Sequence, residues 1–422
     1  MDKTVSGETL KGTLNAPPSK SQTHRALIAA SMADGLCNIT NQLSSDDIEA
    51  TQSILKHLGA FIDGETVKGP LKVDTSKTLN ANASGSTLRF MIPIALLFDH
   101  YITFDGKERL PKRPLEVYEE TFKDSVHYEY LSSDYLPLKV RGPLKANDFK
   151  CRGDISSQFI SGLLFALPLL KGDSTITLTT PLESLNYVDM TLDTLKHFGI
   201  EVEKKGNQLF IKGNQTYKPR DLKIEGDYSQ AAFFIVAGMI AGDITIKGLN
   251  PSSLQGDKKI IEIIQSIGGN ITYDETVGGY HVLKSTLHST TIDLTDIPDL
   301  GPILMVLAAQ IQGKTTFKGL KRLVFKESNR LDTMKDIVRK LGAKAWKEKD
   351  TLIIEGVPQF KGNQTFDAHD DHRLAMALTI ATLKTDGPLT IKGASCISKS
   401  YPLFFEDFKH LGGHVLSPKE ER

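Results

Sequence analysis

The sequence predicts an α/β protein of two domains, each made of three repeats whose most apolar helices lie inside. Three observations predict it. First, six strongly apolar helix candidates open on a polar turn: Ser19-Lys20-Ser21, Ser84-Gly85-Ser86, Ser156-Ser157-Gln158, Asp227-Tyr228-Ser229, Asp299-Leu300-Gly301 and Asp370-Asp371-His372-Arg373. Marked at Lys20, Gly85, Ser157, Tyr228, Leu300 and Asp371, they are spaced by 65, 72, 71, 72 and 71 residues. A repeat of that period fixes the architecture. Second, helix ends keep the same beat at Leu58-Gly59, Phe198-Gly199, Ile267-Gly268, Leu341-Gly342 and Leu411-Gly412, while the sixth, due near Val126, lacks its glycine. Third, residues 231–237 are apolar all round, the pattern of a helix buried on every side.

Along the chain, each repeat reads as buried helix, short strand, amphipathic helix, strand. Residues 244–248, 315–319 and 389–393 are nearly one strand-turn phrase, alternating apolar and polar and stopping at glycine. Residues 102–106 and 174–178 are looser versions. The helix over 48–58 places Ile48, Leu55 and Leu58 on one buried face. The first domain is expected over 17–224 and the second over 225–422 joined by residues 1–16, a strand-forming arm. The crossing near 220–227 is short, as a hinge is.

Composition limits the function. At 422 residues with 51 basic and 51 acidic side chains, the chain has no global field to draw it to nucleic acid or membrane. Any anion site must therefore be a local concentration of charge. Cys37, Cys151 and Cys396 are far apart, which argues against disulfides or a thiolate metal site. Residues 1–12 are too polar for a signal peptide, and the apolar stretches at 159–170 and 231–242 are too short to span a bilayer. A cytoplasmic protein is expected.

Helix N-termini present free N–H groups and favour anions, although Ser and Asp there also serve as ordinary caps. The capping explanation weakens where bases accompany the cap. Lys20, Ser21 and Arg25 share one turn leading into a buried segment, which points to phosphate. Gly85 allows close backbone approach. Arg89, one turn into that helix, fits a ligand contact or a structural role bonding carbonyls between repeats. Arg109, Lys112 and Arg113 crowd one loop before Pro114. Lys326 and Glu327, with Arg330 one turn on, suit an acid/base site with anion clamps, or a plain i,i+3 ion pair. The run from His369 to His372 invites a metal, but adjacent helical residues diverge and no other cluster completes a shell. A phosphate loop with Lys-Ser/Thr and a strand-linked Gly-x-Gly-x-x-Gly are both missing.

Together these motifs resemble the 3-phosphoshikimate 1-carboxyvinyltransferase (EPSP synthase) family over essentially the whole chain. The anchors are Ser19-Lys20-Ser21-x-x-His24-Arg25, Ser84-Gly85-x-x-x-Arg89, Arg113-Pro114, Ser156-Ser157-Gln158 and Ser184-x-x-Tyr187. They continue with Ile297-Pro298-Asp299, Lys326-Glu327-Ser328-Asn329-Arg330, Asp371-His372-Arg373 and Lys399-Ser400-Tyr401-Pro402. The resemblance implies two inside-out α/β-barrel domains, the enolpyruvyl transferase fold, with the active site in the cleft between them. It implies transfer of the carboxyvinyl group of phosphoenolpyruvate to the 5-hydroxyl of shikimate 3-phosphate, with release of phosphate. By resemblance, Lys20, Ser21, Arg25, Ser156, Ser157, Gln158, Ser184, Asp299 and Lys326 bind shikimate 3-phosphate. Phosphoenolpyruvate falls to Lys20, Gly85, Arg113, Gln158, Arg330, Arg373 and Lys399. Asp299 is the implied base for the hydroxyl, while Glu327 and Lys326 handle the methylene proton. No metal or organic cofactor, no nucleic acid and no membrane is implied, and a monomer is expected.

Four positions depart from the family pattern: Ala83 where asparagine is usual, Ser86 for threonine, Phe90 for proline or leucine, and Val324 for a base. By resemblance they lie beside the phosphoenolpyruvate pocket and bear on affinity for that substrate and for glyphosate, the family's inhibitor. The nearest rival, a UDP-N-acetylglucosamine carboxyvinyltransferase, usually has Lys-Asn at Lys20-Ser21 and a cysteine within 107–113, where this chain has none. A non-catalytic scaffold for anionic partners explains the periodicity but not Asp299, Glu327 and Lys326. A metal hydrolase built on the His369–His372 run is the third alternative.

Overall fold

The computed structural model describes residues 1–416. The chain forms two compact units, one of residues 18–224 and one of residues 1–17 with 225–422. In the first unit the helices are α1 (Lys20–Met32), α2 (Asp46–His57), α3 (Gly85–Ala95), α4 (Glu116–Phe122), α5 (Ser157–Ala166) and α6 (Leu185–His197). The second contains α7 (Tyr228–Ala241), α8 (Lys259–Ser266), α9 (Gly301–Ala308), α10 (Arg330–Lys340), α11 (His372–Ala381) and α12 (Phe404–His410).

The odd-numbered helices are the inner ones. Every residue of α7, α9 and α11 is buried, and α3 and α5 each expose a single position at least in part. Such helices have no polar face to turn to water, so each must be enclosed by its neighbours and by sheets. The even-numbered helices are amphipathic, as in α2, which buries Ile48, Ile54 and Leu55 and shows charge outward.

Among the described residues, six four-stranded sheets surround these helices, three to a unit. Each repeat therefore has more strand than buried helix, strand, amphipathic helix and strand. In the second repeat, Lys77–Asn80 runs into α3 and pairs parallel with Ile102–Asp105, which leads to α4 and then a hairpin of His127–Tyr130 with Leu138–Arg141. The missing strands are short, and the outer hairpin strands bury at most one residue each, leaving little apolar pattern to read. The first 15 residues supply one inner and one edge strand to two sheets. Lys3–Ser6 lies antiparallel between Leu389–Lys392 and His414–Leu416, and Leu10–Asn15 lies parallel to Gly242–Lys247.

The repeated glycines are backbone requirements. Gly59, Gly199, Gly268, Gly342 and Gly412 follow their helices at φ between +78° and +108°, where a Cβ is disfavoured. Lys123 ends α4 at φ +44° without a glycine. Five of the six openings carry a side-chain cap, from Ser19, Ser84, Ser156, Asp227 and Asp371. Asp299 is the exception. It sits in a 3-10 turn, Pro298–Leu300, ahead of α9 and caps nothing, which frees its carboxylate for other partners.

Candidate functional site

In the unit of residues 18–224, the anion-binding candidates cluster at the first turns of the inner helices. Lys20 opens α1, and its Nζ donates to Asp47 Oδ2 at 2.8 Å. Ser21 follows it. Arg25, one turn on, is buried and donates to Thr191 Oγ1, the Ser21 carbonyl and the Tyr187 carbonyl, each at 2.8 Å. Burial pulls its pKa down to about 10. Two of its five N–H groups remain for a ligand. Phe90 lies under this guanidinium, 5.3 Å from carbon to ring centroid, so that departure from the family pattern packs the core beneath Arg25.

A second group forms around α3 and α5. The Arg113 guanidinium lies against Gly85, and a Cβ built on Gly85 would stand 2.6 Å from its Nη1. Gln158 bridges two helices: its amide nitrogen donates to Ser86 Oγ at 2.8 Å, and its oxygen accepts from Arg89 Nη1 at 2.9 Å. Arg89 also donates to the Pro114 carbonyl of its own repeat, so its guanidinium joins that loop to Gln158 of the next repeat. Ser156 caps α5 and the buried Ser157 begins it. Ser184 is fully buried in the left-handed region (φ +55°, ψ +49°) just before α6. A serine held there costs backbone energy, the kind of strain that clusters at ligand sites.

In the other unit, Arg330 is the centre of a carboxylate cage. Its side chain is 1% exposed. Its Nε donates to Asp371 Oδ2 at 2.8 Å, Nη1 to Asp299 Oδ1 at 2.8 Å and Nη2 to Glu327 Oε2 at 2.7 Å. Asp371 is the buried carboxylate, and it also accepts from Ser328 Oγ and from the Arg373 backbone N–H. This accounts for the His369–His372 run: Asp371 serves an arginine, and no group of three His, Cys, Asp or Glu among the described residues could hold a metal ion.

Asp299 faces three cations, with Lys326 Nζ at 3.0 Å, Arg330 Nη1 at 2.8 Å and Arg373 Nη2 at 3.5 Å. Burial raises its pKa, but attraction to Arg373, Lys326 and Arg330 outweighs that and holds it well below the usual carboxylate range. Burial drives Lys326 down to about 8, helped by Arg322 and Arg330 and opposed by Asp299 and Glu327. Lys326 can therefore gain or lose a proton near neutral pH, which few lysines can. Arg373 is anchored by Ser229, through Nη2 to Oγ at 2.8 Å and Nη1 to the carbonyl at 3.2 Å. Asp227, a plain cap, holds that hydroxyl in turn at 2.7 Å. Lys399 Nζ donates to the Asp370 carbonyl at 2.7 Å. Val324 packs against the core.

Sequence reading passed over Asp47 and Ser229, and it noticed Asp371 only as part of a motif. Nothing local distinguishes Asp47 from Asp46 or Ser229 from any capping-turn serine. Their partners are 27 and 144 positions away.

Known proteins with this pattern are specific in kind. The sequence family described as EPSP synthase (3-phosphoshikimate 1-carboxyvinyltransferase) matches residues 5–408. The chain is 46% identical over 416 residues to a 3-phosphoshikimate 1-carboxyvinyltransferase of Clostridium acetobutylicum, covering 96% of both. It is 43% identical to that of Clostridioides difficile, again over 96% of both. The solved EPSP synthase of Acinetobacter baumannii matches with a TM-score of 0.81 at 26% identity, covering 99% of this chain and 100% of that one. The enolpyruvyl transferase NikO from Streptomyces tendae has the same fold, with a TM-score of 0.80 over 98% of both chains at 15% identity.

Proposed function

The chain belongs to the EPSP synthase family, and on that premise we propose how its residues divide the work of the family's reaction. That reaction moves the enolpyruvyl group of phosphoenolpyruvate to shikimate 3-phosphate, in aromatic amino acid biosynthesis. The acceptor is the 5-hydroxyl. Ser21, Arg25, Ser156, Ser157, Ser184 and Lys326 hold the shikimate phosphate, and Gln158 touches both substrates. Lys20, Gly85, Arg113, Arg330, Arg373 and Lys399 hold phosphoenolpyruvate. Both substrates are multiply anionic, so lysine and arginine donors are the residues suited to them.

The observation that carries this reading is the cage of Asp299, Lys326, Glu327 and Arg330. Asp299 takes the proton of the attacking hydroxyl. A carboxylate held so acidic is a weak base, so it accepts that proton only as the new C–O bond forms and the hydroxyl grows acidic. Glu327 or Lys326 adds a proton to the methylene carbon, giving a tetrahedral ketal phosphate. Removal of a proton from the same carbon then expels phosphate. Lys326, with a pKa of about 8, suits either direction. Arg330 already spends four of its five N–H groups on carboxylates, so phosphoenolpyruvate must use the fifth or displace Asp299 or Glu327. The chain works as a cytoplasmic monomer without metal; among the described residues, no helix is long and apolar enough to cross a membrane.

A coupled phosphate assay tests this. Phosphate release from phosphoenolpyruvate should require shikimate 3-phosphate and survive a chelator. Release supported by UDP-N-acetylglucosamine instead, or abolished by the chelator, would overturn the reading.

A further inference from the structure

A buried chain of hydroxyls joins α1, α2 and α3 below their first turns. His24 Nδ1 lies 2.8 Å from Thr51 Oγ1, which lies 2.7 Å from Thr87 Oγ1, which donates to Ser84 Oγ at 2.7 Å. All four side chains are at most 1% exposed, so none can reach a substrate. The Asp47 carbonyl lies farther off, 3.2 Å from Thr87 Oγ1 and 3.4 Å from Thr51 Oγ1, while the Asp47 carboxylate holds Lys20.

The direction of the relay follows from one orphan. His24 Nε2 is buried and has no hydrogen-bond partner among the described residues. An unfilled lone pair costs less than a stranded N–H, so the proton sits on Nδ1 and is donated to Thr51. Thr51 then gives its single proton to Thr87, and Thr87 gives its own to Ser84. Each hydroxyl donates once, and the order cannot be reversed without stranding the Nε2 proton. Burial, with Lys20 and Arg25 nearby, holds the His24 pKa well below the usual range, which keeps the ring neutral.

We propose that Thr51, at the middle of this relay, is a positioning residue for phosphoenolpyruvate. Its bond to Thr87 ties the first turn of α3, which carries Gly85 and Ser86, to α2, whose Asp47 holds Lys20. This rests on the reading of Lys20 and Gly85 as phosphoenolpyruvate contacts. Of the shikimate phosphate contacts, Ser156, Ser157 and Ser184 belong to α5 and the turn before α6, outside the relay; Ser21 and Arg25 share α1 with His24, but Arg25 is held from α6 by Thr191 and Tyr187, which the relay does not touch.

The test is a split between substrates. Thr51→Val keeps shape and removes the hydroxyl, and misplacing one anion contact should raise KM for phosphoenolpyruvate about tenfold. KM for shikimate 3-phosphate and kcat should stay within about twofold, and Thr51→Ser should restore the wild-type values. Equal rises in both KM values, an unchanged KM for phosphoenolpyruvate, or no rescue by serine would each overturn the proposal. Gly85→Ala serves as the control. If it leaves KM for phosphoenolpyruvate unchanged, the reading of Gly85 is at fault, and the Thr51→Val split still decides the relay. Should Thr51→Val not fold, His24→Asn keeps a donor near Nδ1 and should behave as wild type. His24→Leu should then show the same split, and equal behaviour of these two variants would sink the idea.

Discussion

Replacing Asp299 with asparagine takes the negative charge from the middle of three cations, and Lys326 should register the loss. At an effective dielectric near 20, unit charges 3.0 Å apart attract by about 5 kcal/mol. Taken alone, that is roughly four pKa units. The real effect is smaller, because Arg330 and Arg373 share the carboxylate and the Lys326 and Asp299 side chains are each about one-fifth exposed. A fall of about one to two units from the starting value of about 8 is expected. The sign is fixed: Asp299 favours protonated Lys326, so its removal lets the proton leave at lower pH. Calorimetric titration with shikimate 3-phosphate from about pH 5.5 to about pH 9.5 reads this, because the ligand's own titration near pH 6 is common to both enzymes and cancels in the ratio of their affinities. Wild-type affinity should fall as pH rises through about 8, and in Asp299→Asn that fall should begin at least one unit lower. Lys326→Arg, with a cation that does not titrate, should flatten the limb. An unmoved or more alkaline midpoint in Asp299→Asn refutes the coupling.

Three further outcomes are expected. Gly85→Ala places a Cβ 2.6 Å from Arg113 Nη1, so the guanidinium must move; KM for phosphoenolpyruvate should rise about tenfold or more, with shikimate 3-phosphate binding and melting temperature little changed. Glu327→Gln retains an oxygen for Arg330 but cannot cycle a proton, and kcat in the phosphate assay should drop by about 100-fold or more while shikimate 3-phosphate still binds. Asp371→Ala leaves the buried Arg330 without its fully buried partner, and denaturation should show a loss of about 3 kcal/mol in the unit that contains it. A melting profile identical to wild type would show that Asp371 holds nothing.

The period of about 70 residues was legible because its causes are local. A cap at Ser19 or Ser84 bonds an N–H three positions on, and the glycine after α2 or α10 answers the conformation of its own helix end. The all-apolar run in α7 likewise carries its burial in its own composition. The extra strands of each repeat were not legible, since a short half-exposed strand takes its structure from the neighbour it pairs with. Arg89 shows the same limit within a site. Its spacing admitted a ligand contact and a structural role equally, and only the fold shows the partners it takes, Gln158 and Pro114, 69 and 25 positions away.

Asp299 marks the boundary between the two kinds of information. By sequence alone it is one of six polar openings, and the repeat says only that an inner helix begins beside it. The chain by itself determined the number of repeats, the inner position of the apolar helices and the presence of acids among anion-binding bases, because periodicity and composition are properties of neighbours along the chain. Only the tertiary structure decided that Asp227 and Asp371 cap their helices while Asp299 turns to Lys326, Arg330 and Arg373. Charge falls off over a few ångströms of space, not over residue numbers, so the acidity of Asp299 and the lability of the Lys326 proton exist only once residues 27 to 74 positions apart have been folded together.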